Sequence, residues 1–169
     1  CGSSRNRLTS AIATTENIGI NANLQSGQAS YANAQGVYDV GDLATGTITP
    51  DFESSLEVYD SLGEPRTVAF GFLKTAPNTW QVEAYARPNT NVTNGGVTGG
   101  LLASGTVTFN TDGTVATTTG TIASTFNIDW AASTGAAQQP ITLDLASGMT
   151  QFANAYGVTE PLIQIQGND

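Results

Sequence analysis

Histidine is absent from the 169-residue sequence, and with it go the commonest general base and the commonest metal ligand. Cysteine occurs once, as Cys1. One thiol closes no internal disulfide and builds no structural zinc site. A lipidated cysteine of the bacterial lipoprotein kind would also stand first, but a lone terminal Cys says little. Lysine and arginine number five against fourteen acidic residues, for a formal net charge of −9. All five cations (Arg5, Arg7, Arg66, Lys74, Arg87) precede Pro88. A chain so poor in cations does not neutralise phosphates, which excludes a nucleic-acid binder; docking on anionic lipid is disfavoured for the same reason. No apolar run approaches the roughly 20 residues of a membrane helix, and no secretory signal peptide is recognisable. Charged residues make up only 11% of the chain, well under the usual quarter or so.

Thr, Ser, Asn and Gly fill that gap, so the polarity is mostly uncharged. Such a composition suits surfaces that pack against other surfaces or stand outside the cell. The length is enough for one domain with a real core, or for one domain plus a fragment of a second.

The pattern along the chain is strands and turns. Ile18, Ile20, Ala22 and Leu24 alternate with small polar residues at period two. Residues 31–50, rich in Ala, Gly and Asp, read as a loop or connection. Ser55–Tyr59, Arg66–Lys74 (Val68, Phe70 and Phe72 on one face) and a strand carrying Trp80, Val82 and Ala84 form an antiparallel meander. Its joints are the turn residues 60–65 and Ala76, Pro77 and Asn78. Asn89–Gly100 reads as a loop. Val107 and Phe109 mark a short strand, turned at Thr111, Asp112 and Gly113 into Thr114–Thr117. Thr121–Trp130 reads as one strand with Ile122, Phe126, Ile128 and Trp130 at even spacing. Ser133–Pro140 is a loop, and Ile141, Leu143 and Leu145 form the last clear strand. Ser147–Thr150 turns the chain, and Leu162–Ile165 is expected to pair once more. The one helical candidate, Arg5–Thr15, is short. The fold class expected is all-β, an antiparallel barrel or sandwich with little helix. Residues 1–12 are expected to be a tail and 13–169 the β-rich domain, with Phe70, Phe72, Trp80, Phe126 and Trp130 filling one core.

Residue types that carry chemistry are few. Asp51, Glu53 and Glu57 could share a strand face and act as a carboxylate pair in glycoside hydrolysis; the plainer reading is an exposed, charged edge strand. Asn110, Asp112 and Gly113 resemble a piece of a calcium loop, but no later bidentate acid follows at the right spacing, and a β-turn explains them. Asn91, Val92 and Thr93 match a glycosylation triplet. Serines abound without a histidine to activate them. Gly95, Gly96, Gly99 and Gly100 neither follow a strong strand nor open a helix, so they do not cradle phosphate. Trp80 and Trp130 would stack on sugars if exposed, but their even positions in strands point to the core. No cofactor or metal and no catalytic residue is expected.

The run Leu56–Tyr85, LEVYDSLGEPRTVAFGFLKTAPNTWQVEAY, carries a more specific pattern. It resembles the central motif of bacterial flagellar hook proteins. There a strand ends in V-Y-D-S-x-G, a hydrophobic strand ends in K-T, and N-x-W-x-V starts the next. Here these are Val58, Tyr59, Asp60, Ser61 and Gly63, then Lys74 and Thr75, then Asn78, Trp80 and Val82. Ala13–Ser26, Val107–Val115 and Ile141–Ala153 resemble flanking parts of the same outer, FlaE-type domain, in the right order. Tyr59 and Trp80 supply apolar faces with a polar tip, Asp60 and Ser61 can bond the turn backbone, and Gly63 supplies positive φ. These are read as folding residues.

The resemblance implies a structural subunit exported by the flagellar type III route. Such a subunit polymerises with its own copies into a curved tube, a universal joint between rod and filament, beside the hook cap, rod and hook–filament junction proteins. No amphipathic helical terminus is visible at either end, so the chain is expected to be an outer-domain segment, monomeric in isolation. Asn89–Gly100 and Ser133–Gln139 are expected at contacts between copies. Rod proteins of the same axial family are the nearest alternative. An extracellular adhesin or carbohydrate-binding module is the other; exposure of either tryptophan would favour it, and burial of both would favour the structural reading.

Overall fold

The computed structural model describes residues 14–93 and 98–153. Cys1, the tail 1–12, most of Arg5–Thr15, Gly95, Gly96 and the pairing of Leu162–Ile165 lie outside them. The elements run β1 (Asn17–Gly19), β2 (Ala22–Gln25), α1 (Asp42–Thr45), β3 (Phe52–Tyr59), β4 (Pro65–Ala76), β5 (Thr79–Arg87), β6 (Leu101–Phe109), β7 (Val115–Gly120), β8 (Phe126–Ile128), β9 (Gln139–Asp144) and β10 (Met149–Phe152).

The meander expected from the sequence is the backbone of the fold. Strands β3 to β7 pair in chain order as one five-stranded antiparallel sheet. The β4–β5 hairpin turns on Asn78, whose φ of 56° is a left-handed conformation that asparagine tolerates better than most residues. Two smaller sheets close the other side, in the orders β1-β9-β8 and β10-β2. Between the layers lies the main core, with Val68, Phe70, Phe72, Trp80, Phe126 and Trp130 among its members. The apolar alternation of the sequence thus does what period two predicts: one face of each strand is removed from water.

Three readings of the sequence are corrected. The run Ile18–Leu24 is two strands, not one. β1 pairs parallel with β9 and β2 parallel with β10, so not every pairing is antiparallel. All four alternating residues are nevertheless buried. The stretch Thr121–Trp130 is not one strand. Ile122 sits on a 3-10 turn, only Phe126–Ile128 is β8, and Trp130 makes an isolated bridge to Val92. Its four apolar side chains still reach the core, because a bend between Ile122 and Phe126 leaves their burial intact.

The third correction concerns residues 31–50. They are largely irregular, but they include the one-turn helix α1, and part of the stretch packs into the fold. Leu43, Ala44 and Ile48 are buried against Ala69, Leu73, Tyr85 and Leu101, forming a second core on the far face of the principal sheet. β4 is therefore covered on both faces, which period-two alternation does not anticipate.

Candidate functional site

The first half of the motif builds one tight turn. Val58 is buried and Tyr59 ends β3. Asp60, fully buried at 0% exposure, accepts hydrogen bonds at Oδ1 from the amides of Leu62 (2.9 Å) and Glu64 (3.0 Å). Its Oδ2 accepts from Arg66 Nε at 2.8 Å. Gly63 takes φ 79° and donates its amide to the Asp60 carbonyl (3.0 Å), which a side-chain-bearing residue would do only under strain. Burial pushes the Asp60 carboxyl up, but the Arg66 guanidinium and the two amides outweigh it and hold the carboxyl below its ordinary range. Ser61 departs from expectation. Its hydroxyl accepts from the Ala137 amide (2.9 Å), so it ties the turn to a distant loop. The loops at 89–93 and 129–138 meet at this same end: Ala131 N donates to Asn91 O (2.7 Å) and Thr93 N to Asp129 O (2.8 Å). Arg66 lies over the Trp130 ring, 5.7 Å from its centroid.

The second half of the motif is elsewhere. Lys74 pairs with Trp80 across the hairpin, whereas Arg66 pairs with Val58; eight residues along β4 separate the two by about 26 Å. Lys74 is buried and donates Nζ to the Ser26 carbonyl (2.7 Å). Thr75 is the extra residue where the register slips between Lys74 and Ala76. Trp80, 0% exposed, donates its indole N–H to Gln151 Oε1 (2.6 Å), and Gln151 Nε2 donates to Asn78 Oδ1 (2.7 Å). Val82 lies in the main core. The ten motif residues are therefore two structural knots at opposite ends of β4, not one site.

The carboxylates of the 51–57 region form no acid–base pair. Asp51 accepts from Gln28 Nε2 (3.0 Å) and from the Lys74 amide (2.8 Å). Burial raises its carboxyl, with Lys74 offsetting part of the rise. Glu53 accepts from the Tyr85 hydroxyl. Glu57 is exposed on β3, an edge of the principal sheet. Four residues separate Glu53 from Glu57, about 13 Å along a strand, more than the roughly 5–9.5 Å that glycoside hydrolysis requires.

The residue that sequence reading missed is Glu83. It is fully buried, at 0% exposure. Oε1 accepts from the Tyr38 hydroxyl and the Gly41 amide, both at 2.8 Å, and Oε2 from the Ala44 amide at 2.9 Å. Arg87, on the same face of β5, donates to the carbonyls of Ala44 (3.1 Å) and Gly99 (3.3 Å), with its guanidinium carbon 4.3 Å from the Tyr85 ring centroid. Burial, then the neighbouring carboxylate, raises both tyrosine hydroxyls well above their ordinary range: Glu83 acts on Tyr38, and Glu53 on Tyr85. Gly71 makes room for this arrangement. A Cβ there would lie 2.9 Å from Tyr85 Oη. The available signal was a charged pair flanking a tyrosine on the polar face of a strand, together with apolar Leu43 and Ile48 in a supposed loop.

The other candidates resolve into structure. Asp112 Oδ1 accepts from Thr114 N (3.0 Å) and Thr114 Oγ1 (2.6 Å), which holds its carboxyl below the ordinary range. Among the described residues no group of three or more Cys, Asp or Glu is placed to hold a metal. Trp130, 6% exposed, donates to Gln139 Oε1 (2.9 Å), so both indoles face inward and neither offers a sugar platform. No helix among the described residues is long and apolar enough to cross a membrane.

Comparison with known proteins agrees with this picture of a structural β-domain. The flagellar hook protein FlgE of Caulobacter vibrioides is 32% identical, over 62% of this chain and 22% of its own length. A solved 32 kDa fragment of the flagellar hook protein FlgE from Caulobacter crescentus superposes with a TM-score of 0.59 at 26% identity, covering 78% of this chain and 52% of that one. The chain thus spans about a fifth of the curated relative and about half of the solved fragment. Residues 23–163, most of the sequence, match the family described as Flagellar basal body protein FlaE D2 domain, and the chain belongs to that family.

Proposed function

We propose that this chain is an outer β-domain of a flagellar hook subunit, running over residues 13–169, with no catalytic role. In this reading the subunit assembles with its own copies into the curved tube that couples rod to filament. It reaches the outside by the flagellar type III route and meets the cap, rod and junction proteins there. The motif residues from Val58 to Val82 serve folding. The observation that carries the proposal is that residues 23–163 match the FlaE D2 family, while the motif that resembles hook proteins is turned inward: Asp60, Lys74, Asn78 and Trp80 each hydrogen-bond this chain's own turns and strands. The test is electron microscopy of flagella from a strain lacking the gene for this chain. Motors ending at the rod with no hook support the proposal; normal hooks and filaments overturn it. The isolated 169-residue chain sediments as a monomer in this reading, and filaments in the velocity profile would contradict that part. A carbohydrate-binding role is disfavoured by the burial of Trp80 and Trp130.

A further inference from the structure

The layer over the far face of the principal sheet is a single excursion of the chain. Residues 27–50 leave β2 and return to β3 without contributing a strand. Both ends are fastened at one residue. Lys74 donates Nζ to Ser26 O (2.7 Å) at the departure and its amide to Asp51 Oδ2 (2.8 Å) at the return, and its carbonyl accepts from Tyr31 N (2.7 Å). Gln28 Nε2 closes the loop on Asp51 Oδ1 (3.0 Å). The excursion also bonds to itself. The Tyr31 hydroxyl donates to Gly36 O (2.9 Å) and accepts from Gln35 N (2.8 Å). Thr49 N donates to Gln35 Oε1 (2.9 Å), and Ile48 N to Asp42 O (3.1 Å).

Its hold on the sheet is slight by comparison. Leu43, Ala44 and Ile48 are buried and Tyr31 and Tyr38 partly so, but Val37 and Val40 are 78% and 62% exposed. The core these residues form has no member in common with the main core. In place of a strand ladder, the sheet offers Glu83 to Tyr38, Gly41 and Ala44, and Arg87 to the Ala44 carbonyl. Both charged groups regain hydration when the layer lifts, which offsets part of the hydrogen bonding lost. Ordering so long a segment costs conformational entropy that a small apolar contact counters only narrowly. With the ends fixed at Lys74, lifting the middle leaves the main core and the five paired strands in place.

We propose that residues 32–49 form a strap that lifts from the sheet as one unit while the main core stays folded. The Lys74 knot is its hinge and the Glu83–Arg87 pair its latch. Seated, the strap completes the second layer. Lifted, it uncovers Ala69, Leu73 and Tyr85 on β4 and β5. Lys74, a residue of the motif, thereby serves a conformational step as well as the fold.

Hydrogen exchange read by NMR at a series of sub-denaturing urea concentrations tests this. In the wild type, the amides of Gly41, Ala44, Thr45, Gly46 and Ile48 share one urea slope, shallower than that of the central amides of β4–β6, and their protection is about a hundredfold lower. Leu43→Asp, a change in the second core alone, brings these amides close to their intrinsic rates while β4–β6 stay protected. Strap amides that exchange at the rate and slope of the sheet overturn the proposal, because the layer then opens only in global unfolding. Strap amides with no common slope overturn it too, and so does a Leu43→Asp chain whose sheet loses protection together with the strap.

Discussion

Glu83 and Arg87 lie four residues apart on one face of β5 and grip α1 from opposite ends, Glu83 through the amides of Gly41 and Ala44 and Arg87 through the carbonyl of Ala44. A helix of one turn leaves nearly all its backbone groups unpaired, so it persists only where other groups satisfy them. The carboxylate takes amides at the first turn and the guanidinium takes a carbonyl at the last, each matching the polarity of the helix end it meets.

Glu83→Ala removes an acceptor from three donors and leaves the buried Gly41 and Ala44 amides unsatisfied. The expected cost is about 3 kcal/mol, a fall in Tm of roughly 6–12 °C for a chain of this size. Calorimetry reads it directly. Glu83→Gln keeps one acceptor oxygen and is expected to lose about half as much.

Asp60 makes stability depend on pH with a definite sign. Its folded carboxyl is held below the unfolded value, so its contribution is complete above about pH 4 and is lost as pH falls through the folded value. The stability difference between wild type and Asp60→Asn is therefore flat from pH 5 to 8, by about 2–3 kcal/mol, and shrinks below about pH 4. Urea titrations at a series of pH values check both the plateau and the decline.

Gln151→Ala removes the acceptor that the Trp80 indole N–H meets at 2.6 Å and the donor to Asn78 Oδ1. Losing these two hydrogen bonds costs about 1–3 kcal/mol. The urea midpoint should fall while the slope stays constant, because the area exposed on unfolding hardly changes.

Gly71→Ala drives a methyl into Tyr85, 2.9 Å from the hydroxyl oxygen. About 1–3 kcal/mol of destabilisation is expected. Adding Tyr85→Phe removes the clashing oxygen, so the double variant should be more stable than the sum of the singles predicts. A double-mutant cycle measures that coupling.

The principal sheet was legible because its signals are local. Alternation over Val68, Phe70 and Phe72, the turn residues at 60–65, and Asn78 each point to the same hairpins. Parallel pairing of β1 and β2 was not legible, since register between strands more than a hundred residues apart leaves no mark in either one. The second core escaped for a related reason. Glu83 and Arg87 look like a solvent face until Tyr38, Gly41 and Ala44 are folded onto them. Ser61 was assigned to the right turn with the wrong partner, because a loop arriving from residue 137 cannot be seen from the turn. Lys74 offered no hint that its ammonium would end on the Ser26 carbonyl.

The double covering of β4 has a mechanical consequence. A sheet packed on one side can change its coiling by sliding over its single core. A sheet clamped between two separately packed layers has to strain both at once. The domain should therefore behave as a stiff plate: under load, displacement accumulates at its margins and the interior keeps its shape.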